Sequence, residues 1–182
     1  MNKPNIIRGI DHLGITVPSI ESATEYFKTA FGAEVLYDVL TDRDVPLGGH
    51  EIESAVGIAE GTRVRAIRLL RLHDGPSLEL FEYIAAGQRT PAIPSDFGLQ
   101  HLAIYVDDLA EAASRVRAAG GEVLPGPTDL PAIEGGPGNK FWYTRTPWGM
   151  TIEIITYPGS QPYEHRTKMR RWRPPVSRDN WE

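Results

Sequence analysis

The sequence predicts an α+β fold of two tandem βαβββ modules, in which curved sheets carry their helices on the outside. Three observations support this prediction: a long internal repeat, a hydrophobic period that changes from strand to helix within each copy, and hairpin signals after each helix. Residues 10–36 can be aligned with residues 99–124, and both copies open on a His-Leu pair and end on Glu-Val-Leu. We therefore expect one module at about residues 8–88 and a second at about residues 97–158.

The first module begins with residues 9–17, whose alternation of apolar and polar side chains predicts a strand. Ser19 is a suitable N-cap for the helix that follows, and Gly32 suits the left-handed position that ends a helix. Two later strands are predicted at residues 64–72 and 77–84, because the turn sequence HDGP separates two runs of strand-forming residues. With the short apolar run after the helix, this order makes one βαβββ module.

The second module repeats the same order. Asp108 and Glu111 have the spacing of a helix capping box, and a pair of glycines ends the apolar stripe that follows them. Strands are predicted at residues 140–146 and 150–157, on either side of the turn sequence PWG. The two modules therefore share one predicted topology.

Three segments fall outside the repeat. Residues 38–62 are polar and weakly periodic, so we expect a long loop with a short element, and the Pro/Gly-rich residues 125–139 are predicted to form a loop. Residues 159–182 form a basic tail around Trp172, which could cap a pocket, contact an anionic substrate or pack across a dimer, with a disordered or crystal-ordered arm as the alternative. Long surface segments of this kind are often functional.

Composition limits the classes of protein to which the chain can belong. Its 182 residues fit a single globular domain that contains both modules, and 41% apolar with 24% charged residues is usual for a soluble protein. A net charge of −5 gives no reason to expect nucleic acid or an anionic membrane as a partner. Because there is no cysteine, any metal must be bound through nitrogen and oxygen. No apolar run reaches the ~20 residues that span a bilayer, and none resembles a secretory signal, so we expect a cytoplasmic protein.

Two histidines and two glutamates occupy equivalent places in the two modules. Glu79 lies between two leucines and Glu153 between two isoleucines, on the last strand of each module. A strand residue between large apolar neighbours points away from them, so both glutamates face the side opposite the helices, as His12 and His101 do on the first strands. Two imidazoles and two carboxylates suit one divalent Zn, Ni, Co, Mn or Fe ion in a cleft between the sheets. If that side were open to water, the glutamates could instead be ordinary solvated residues, but the equivalence of two pairs favours the metal.

The segments IDHLGITV, SLELFEY, LQHLAIYVDDL and TPWGMTIEI, within about residues 8–158, resemble the vicinal oxygen chelate superfamily. This superfamily includes glyoxalase I, methylmalonyl-CoA epimerase, extradiol dioxygenases, fosfomycin-resistance transferases and bleomycin-binding proteins. The resemblance implies paired βαβββ modules, a homodimer and a small-molecule carbonyl substrate. It leaves open whether one chain forms the site or dimer partners exchange modules.

The predicted ligand types help to separate the subfamilies. The His/Glu/His/Glu set resembles that of bacterial glyoxalase I, whereas the IDH opening and the IEIITYP ending are similar to methylmalonyl-CoA epimerase, which typically has Gln where Glu79 stands. Ring-cleaving dioxygenases and fosfomycin transferases generally use two histidines and one glutamate, so the extra carboxylate of Glu79 argues against both. Bleomycin-binding relatives lack the ligands altogether.

These likenesses imply a metal-dependent isomerase or lyase that removes a proton next to a metal-bound carbonyl. Glu153 would be both ligand and base, and Glu79 would hold the opposite side of the substrate. Tyr105 and Tyr143 are candidates for a hydrogen bond to a substrate oxygen, with a role in lining the core as the alternative for each. Two other functions stay open: an Fe(II)-dependent ring-cleaving dioxygenase of the same superfamily, and a metal-free small-molecule binding protein.

Overall fold

The computed structural model of the chain describes residues 6–175, which form two compact units. The first unit consists of the residues up to Thr24 together with Ala33–Gly87. The second consists of Glu25–Gly32 together with the chain from Gln88 onward. In the described part of the chain, no helix is long and apolar enough to cross a membrane.

The first unit contains a five-stranded mixed sheet. The elements in this part of the chain are β1 (His12–Thr16), α1 (Ile20–Phe31), β2 (Glu34–Leu40), β3 (Leu47–Gly48), α2 (His50–Val56), β4 (Arg63–Arg71) and β5 (Ser77–Ile84). The part of α1 from Glu25 onward belongs to the second unit. The strand order is β1-β5-β4-β2, and β3 pairs with β4. Strands β1 and β5 are parallel, while the other neighbours are antiparallel.

The elements of the first unit agree closely with those predicted. The backbone N–H of Ser22 donates to Ser19 Oγ at 3.3 Å, and Gly32 has a φ of 65°, as predicted for the two ends of α1. The stretch at 38–62, predicted to be a long loop with a short element, contains β3 and α2. Local signals were therefore sufficient for this half of the chain.

The second unit repeats this topology. Its elements are β6 (Leu102–Tyr105), α3 (Leu109–Ala118), β7 (Glu122–Val123), β8 (Thr128–Asp129), β9 (Lys140–Arg145), β10 (Thr151–Thr156) and a 3₁₀ turn (Pro162–His165). The strand order β6-β10-β9-β7, with β8 beside β9, matches that of the first sheet, and its first and last strands are again parallel. The repeated topology confirms the predicted α+β fold of tandem βαβββ modules.

Helix α3 begins at the predicted cap. The side chain of Asp108 accepts hydrogen bonds from the backbone N–H groups of Ala110 and Glu111, at 2.8 Å and 3.0 Å. The carboxylate of Glu111 accepts from Arg115 Nε at 2.8 Å, one turn further along the helix. Only the N-cap half of the predicted capping box therefore forms, at Asp108, whereas the Glu111 carboxylate pairs with Arg115 within the helix.

The Pro/Gly-rich segment 125–139 differs from the loop predicted for it at one point. Thr128 pairs with Phe141 and Asp129 with Lys140, which adds the short strand β8 to the sheet. Lys140 Nζ also lies 2.7 Å from Asp129 Oδ1. The alternation of apolar and polar residues does not predict this strand, because it is only two residues long and has proline and glycine on both sides.

The glutamate-bearing faces of the two sheets differ in how they are covered. Every residue of β10 is buried, whereas most residues of β5 on the Glu79 face are only half-buried. A cluster of Leu130, Ile155 and Tyr157, with Tyr105 packed against it, covers the second sheet. Because Leu130 comes from the loop before β9, that loop is part of the second unit's core.

The C-terminal arm, defined here as residues 159–175, docks on the second unit. Tyr157 Oη donates a hydrogen bond to the carbonyl oxygen of Trp172 at 2.6 Å. The guanidinium of Arg171 lies 4.6 Å above the Tyr157 ring, a cation–π distance. Residues 176–182, the end of the predicted basic tail, lie outside the described residues.

Candidate metal centre

In the first unit, His12 and Glu79 lie side by side. Strands β1 and β5 are parallel neighbours, and Glu79 pairs in register with Gly14, two residues after His12. His12 Nε2 lies 3.2 Å from Glu79 Oε2. The other ring nitrogen, Nδ1, lies 2.8 Å from Asp11 Oδ2. The imidazole is therefore held between two carboxylates.

The second unit contains an equivalent pair. Glu153 pairs in register with Ala103, which places it near His101 just before β6. His101 Nε2 lies 2.8 Å from Glu153 Oε2, and Nδ1 lies 2.9 Å from Gln100 Oε1. Gln100 Nε2 donates to the carbonyl oxygen of Pro94 at 3.1 Å, which sets the orientation of the amide. This imidazole also lies between two oxygen atoms.

Of the four oxygen atoms that flank the imidazoles, three belong to carboxylates and one to the Gln100 amide. When the carboxylates are ionised, all four oxygen atoms accept hydrogen bonds and none can donate one. A neutral imidazole has only one N–H, whereas each imidazole here has an acceptor oxygen at both Nδ1 and Nε2. In the tautomer with the N–H at Nδ1, Asp11 or Gln100 accepts it, and Nε2 directs a lone pair at a glutamate. A cation, either a proton or a metal ion, then completes the contact between Nε2 and the glutamate. Metal-binding histidines have this arrangement, because their second nitrogen donates to a carboxylate or carbonyl. Both pairs therefore fit a divalent metal with nitrogen and oxygen donors.

Sequence reasoning missed Asp11 and Gln100. Each directly precedes a predicted histidine ligand, in IDH and in LQH, so the two are equivalent in the repeat. The available signal was that both copies of the repeat have a polar side chain, able to accept a hydrogen bond, directly before the predicted histidine ligand.

The structure brings the predicted ligands together as one His–Glu pair in each unit. Within residues 6–175, no three His, Asp or Glu side chains form a group that could hold a metal ion by themselves. The full set of His12, Glu79, His101 and Glu153 around one ion therefore stays a prediction.

The two pairs differ in their electrostatics. The hydrogen bond to Asp11, together with the charge of Glu79, raises the pKa of His12 above its ordinary value. Burial raises the pKa of Glu153, while positive charge from His101 and from the C-terminal arm acts in the opposite direction. The side chain of Glu153 is 11% exposed, against 23% for Glu79. A buried carboxylate with a raised pKa has the properties of a general base, so Glu153 is the better candidate for that role.

The two predicted substrate-binding tyrosines have different surroundings. Tyr143 pairs in register with Glu153, and its ring centre lies 5.3 Å from that of His101. Burial and the charge of Glu153 raise the pKa of Tyr143, so its hydroxyl keeps a proton that it can donate. Tyr105 packs edge-on against Tyr157, with ring centres 4.8 Å apart. Tyr143 therefore lies at the candidate site, and Tyr105 lines the neighbouring core.

Comparison with known families agrees with this fold. The family model of the Glyoxalase/Bleomycin resistance protein/Dioxygenase superfamily matches residues 9–154. The chain therefore belongs to this superfamily, which confirms the resemblance inferred from the sequence.

Individual relatives narrow the comparison. A 2-epi-5-epi-valiolone epimerase from an Actinomyces species is 37% identical over 169 residues, which cover 91% of this chain and 88% of that protein. A glyoxalase family protein from Bacillus cereus has a TM-score of 0.66 at 20% identity, covering 87% of this chain and 99% of its own. A fosfomycin resistance protein from Listeria monocytogenes, complexed with Mn(II) and 1S,2S-dihydroxypropylphosphonic acid, has a TM-score of 0.54 at 15% identity, covering 89% and 100%. The two structures support the fold alone, whereas the sequence relative is an epimerase.

Proposed function

We propose that this protein is a metal-dependent epimerase that inverts a stereocentre next to the carbonyl of a small polyhydroxylated ketone. The observation that carries the proposal is the pair in each unit, where an anchored imidazole and a carboxylate meet through Nε2 and Oε2. Similarity to a 2-epi-5-epi-valiolone epimerase supports the reaction class. A valiolone is a polyhydroxylated cyclic ketone, and a C–H stereocentre beside a ketone carries an acidic hydrogen.

We assign His12, Glu79, His101 and Glu153 as the ligands of one divalent ion of Zn, Ni, Co, Mn or Fe. When bound, such an ion polarises a carbonyl oxygen as a Lewis acid. The oxygen atom that accepts a hydrogen bond from each Nδ1 leaves the lone pair of each Nε2 available to bind the ion. The chain itself therefore prepares its histidines for the ion.

Epimerisation removes a proton from one face of a carbon and returns one to the other face, and two carboxylates suit this task. We assign the removal to Glu153, because burial raises its pKa toward the working range of a base. Glu79, which takes up a proton from solvent before each turnover, returns that proton to the opposite face, and Glu153 releases the proton it removed to solvent. Tyr143, beside His101, donates a hydrogen bond to a substrate oxygen, and Tyr105 shapes the wall next to it.

The sequence predicted two reaction classes, isomerase and lyase, and this proposal adopts the isomerase. A ring-cleaving dioxygenase uses three protein ligands and leaves positions for catechol and oxygen, so the second carboxylate argues against that alternative. A metal-free binding protein has no need of two anchored imidazoles. A small-molecule carbonyl substrate, a homodimer and a cytoplasmic location are also proposed, with support from the superfamily membership and the composition.

The test is hydrogen exchange into the substrate in deuterated water. Metal-loaded protein is incubated with 2-epi-5-epi-valiolone, and NMR follows deuterium at the α-carbon and the appearance of an epimer. We expect both in the wild type, at a rate about 10²- to 10⁴-fold lower in Glu153→Gln. The control Glu122→Gln changes an exposed carboxylate of β7 and should leave the rate unchanged. A wild-type protein that yields neither deuterium nor epimer would refute the proposal.

A further inference from the structure

A gap in the side chains of β1 lies beside the His12–Glu79 pair. Gly14 pairs in register with Glu79 and, by alternation, shares the exposed face of β1 that carries His12. Gly14 has no positive φ, so an alanine would fit its backbone conformation without strain. A glycine inside a strand weakens that strand and often marks a place where a ligand approaches the backbone closely. The glycine here therefore points to a ligand rather than to the needs of the strand.

The ring of Phe81 borders this gap. Phe81 follows Glu79 by two residues on β5, so it shares the same face about 7 Å further along the strand. Although Phe81 pairs in register with Thr16, its ring leans back toward Gly14, where an added Cβ atom would lie 3.5 Å from Phe81 Cε2. That distance is an ordinary van der Waals contact, so the ring does not by itself require a glycine. The apolar ring and the gap therefore lie together, next to the candidate ligand Glu79.

Tyr83 supports the ring of Phe81 from the side away from Glu79. It is the next residue of β5 on the same face, and the two rings stack with their centres 5.8 Å apart and their planes 4° apart. Parallel, offset aromatic rings attract each other beyond the burial of their surface. A side chain that is already held in this way loses little freedom when a ligand packs against it, so Phe81 is preorganised.

The second unit fills the same place with its own core. In the repeat, Ile155 and Tyr157 take the positions of Phe81 and Tyr83 after the glutamate of the last strand. They are only 4% and 3% exposed, because Leu130 packs on them. In the first unit, by contrast, both rings are half-buried and the face of β1 beside them is exposed. Of the two described sheets, the first therefore keeps this part of its glutamate face open to a ligand.

We propose that Gly14 and Phe81 form the subsite for the carbon ring of the substrate, whose C–H groups pack on the Phe81 ring in the space that Gly14 leaves open. The inference rests on the proposed function and assigns a specificity-determining role to both residues. The negative face of an aromatic ring attracts C–H groups, which carry a slight positive charge. A six-membered ring suits the separation of about 7 Å between the rows of Glu79 and Phe81. Its hydroxyls remain free to meet water or polar groups on the other side.

The preference for a ring ketone over a ketone without a ring tests this subsite. NMR measures kcat/KM of metal-loaded protein for epimerisation of 2-epi-5-epi-valiolone and for α-hydrogen exchange of hydroxyacetone in deuterated water. Gly14→Ala places a methyl group in the gap, and Phe81→Leu keeps an apolar side chain but removes the aromatic face. We expect the ratio of the two kcat/KM values to fall about 10-fold or more in Gly14→Ala and about 3- to 10-fold in Phe81→Leu.

Gly9→Ala is the matched control, because a Cβ atom added at the exposed Gly9 would meet nothing within 4 Å. Its ratio should stay within about twofold of wild type. Gly14→Ala should also keep its metal and unfold at a urea concentration no lower than wild type, because alanine suits a strand better than glycine. A lower ratio in a protein that is no less stable separates a role in substrate binding from a role in the fold.

An unchanged ratio in Gly14→Ala or in Phe81→Leu would overturn the subsite, and so would an equal fall in Gly9→Ala. If one of the two site variants does not fold, the other decides. Epimerisation by the wild type with unchanged ratios in the variants would remove the subsite and leave the epimerase proposal standing. A wild type that does not epimerise the ring ketone would instead refute the proposed function, together with the subsite that rests on it.

Discussion

The hydrogen bond between Gln100 and His101, in the second unit, should control the affinity of the protein for its metal ion. Gln100→Met preserves the length of the side chain and removes the acceptor that lies 2.9 Å from Nδ1. The imidazole then loses the partner that fixes its tautomer, and part of the population carries its proton on Nε2, where the metal should bind. Such partners contribute about 10- to 100-fold to metal affinity. Because the partner of the imidazole is an uncharged, exposed amide, we expect the lower end, about 10-fold or ~1.4 kcal/mol.

Competition titration with Mn(II) at neutral pH measures this change. Gln88→Met is the control, because Gln88 is an exposed glutamine outside both His–Glu pairs. Its affinity should equal that of the wild type. Equal affinity in Gln100→Met would show that the amide does not prepare His101 for a metal.

Other perturbations test the stability of the units and the need for a cofactor. Arg68, 13% exposed, forms ion pairs with Glu21 and Asp38. Arg68→Met should therefore lower the free energy of unfolding in urea by about 1–3 kcal/mol, which is less than for a fully buried pair because both partners are partly exposed to solvent. Arg115→Met, which breaks an exposed ion pair within a helix, should change the free energy of unfolding by less than about 0.5 kcal/mol. Equal changes in Arg68→Met and Arg115→Met would contradict this reasoning. Leu80→Ala empties a fully buried position of β5 and should cost about 2–5 kcal/mol, so a loss near zero would disprove its place in the core. Removal of metal with a chelator should abolish epimerisation and added Mn(II) should restore it, whereas full activity after chelation would exclude the metal dependence.

The fold could be predicted because each module repeats the same local signals. Alternation indicated the strands, and a cap and a glycine marked the ends of α1. Contacts between distant segments could not be predicted. Leu130 packs on Ile155 and Tyr157, and no periodicity links a Pro/Gly-rich loop to a later strand. The same holds for Glu134 and Arg171, whose contact depends on the path of the C-terminal arm.

The candidate site was predictable only where strand geometry applies. Alternation placed His12 and Glu79 on one face, and the parallel pairing of β1 and β5 brings them to 3.2 Å. Asp11 and Gln100 precede their strands, where alternation does not determine the direction of a side chain. Their roles emerged only from the distances to the histidine Nδ1 atoms.

The central claim is that His–Glu pairs from both modules hold one metal ion, and the metal content of the purified protein tests it most directly. Elemental analysis on protein prepared without chelator compares the wild type with His12→Ala and His101→Ala. We expect one divalent ion per chain in the wild type and its loss in both variants, because the ion uses ligands from both modules. Two ions per chain with one lost in each variant, or an unchanged content in either variant, would contradict the claim.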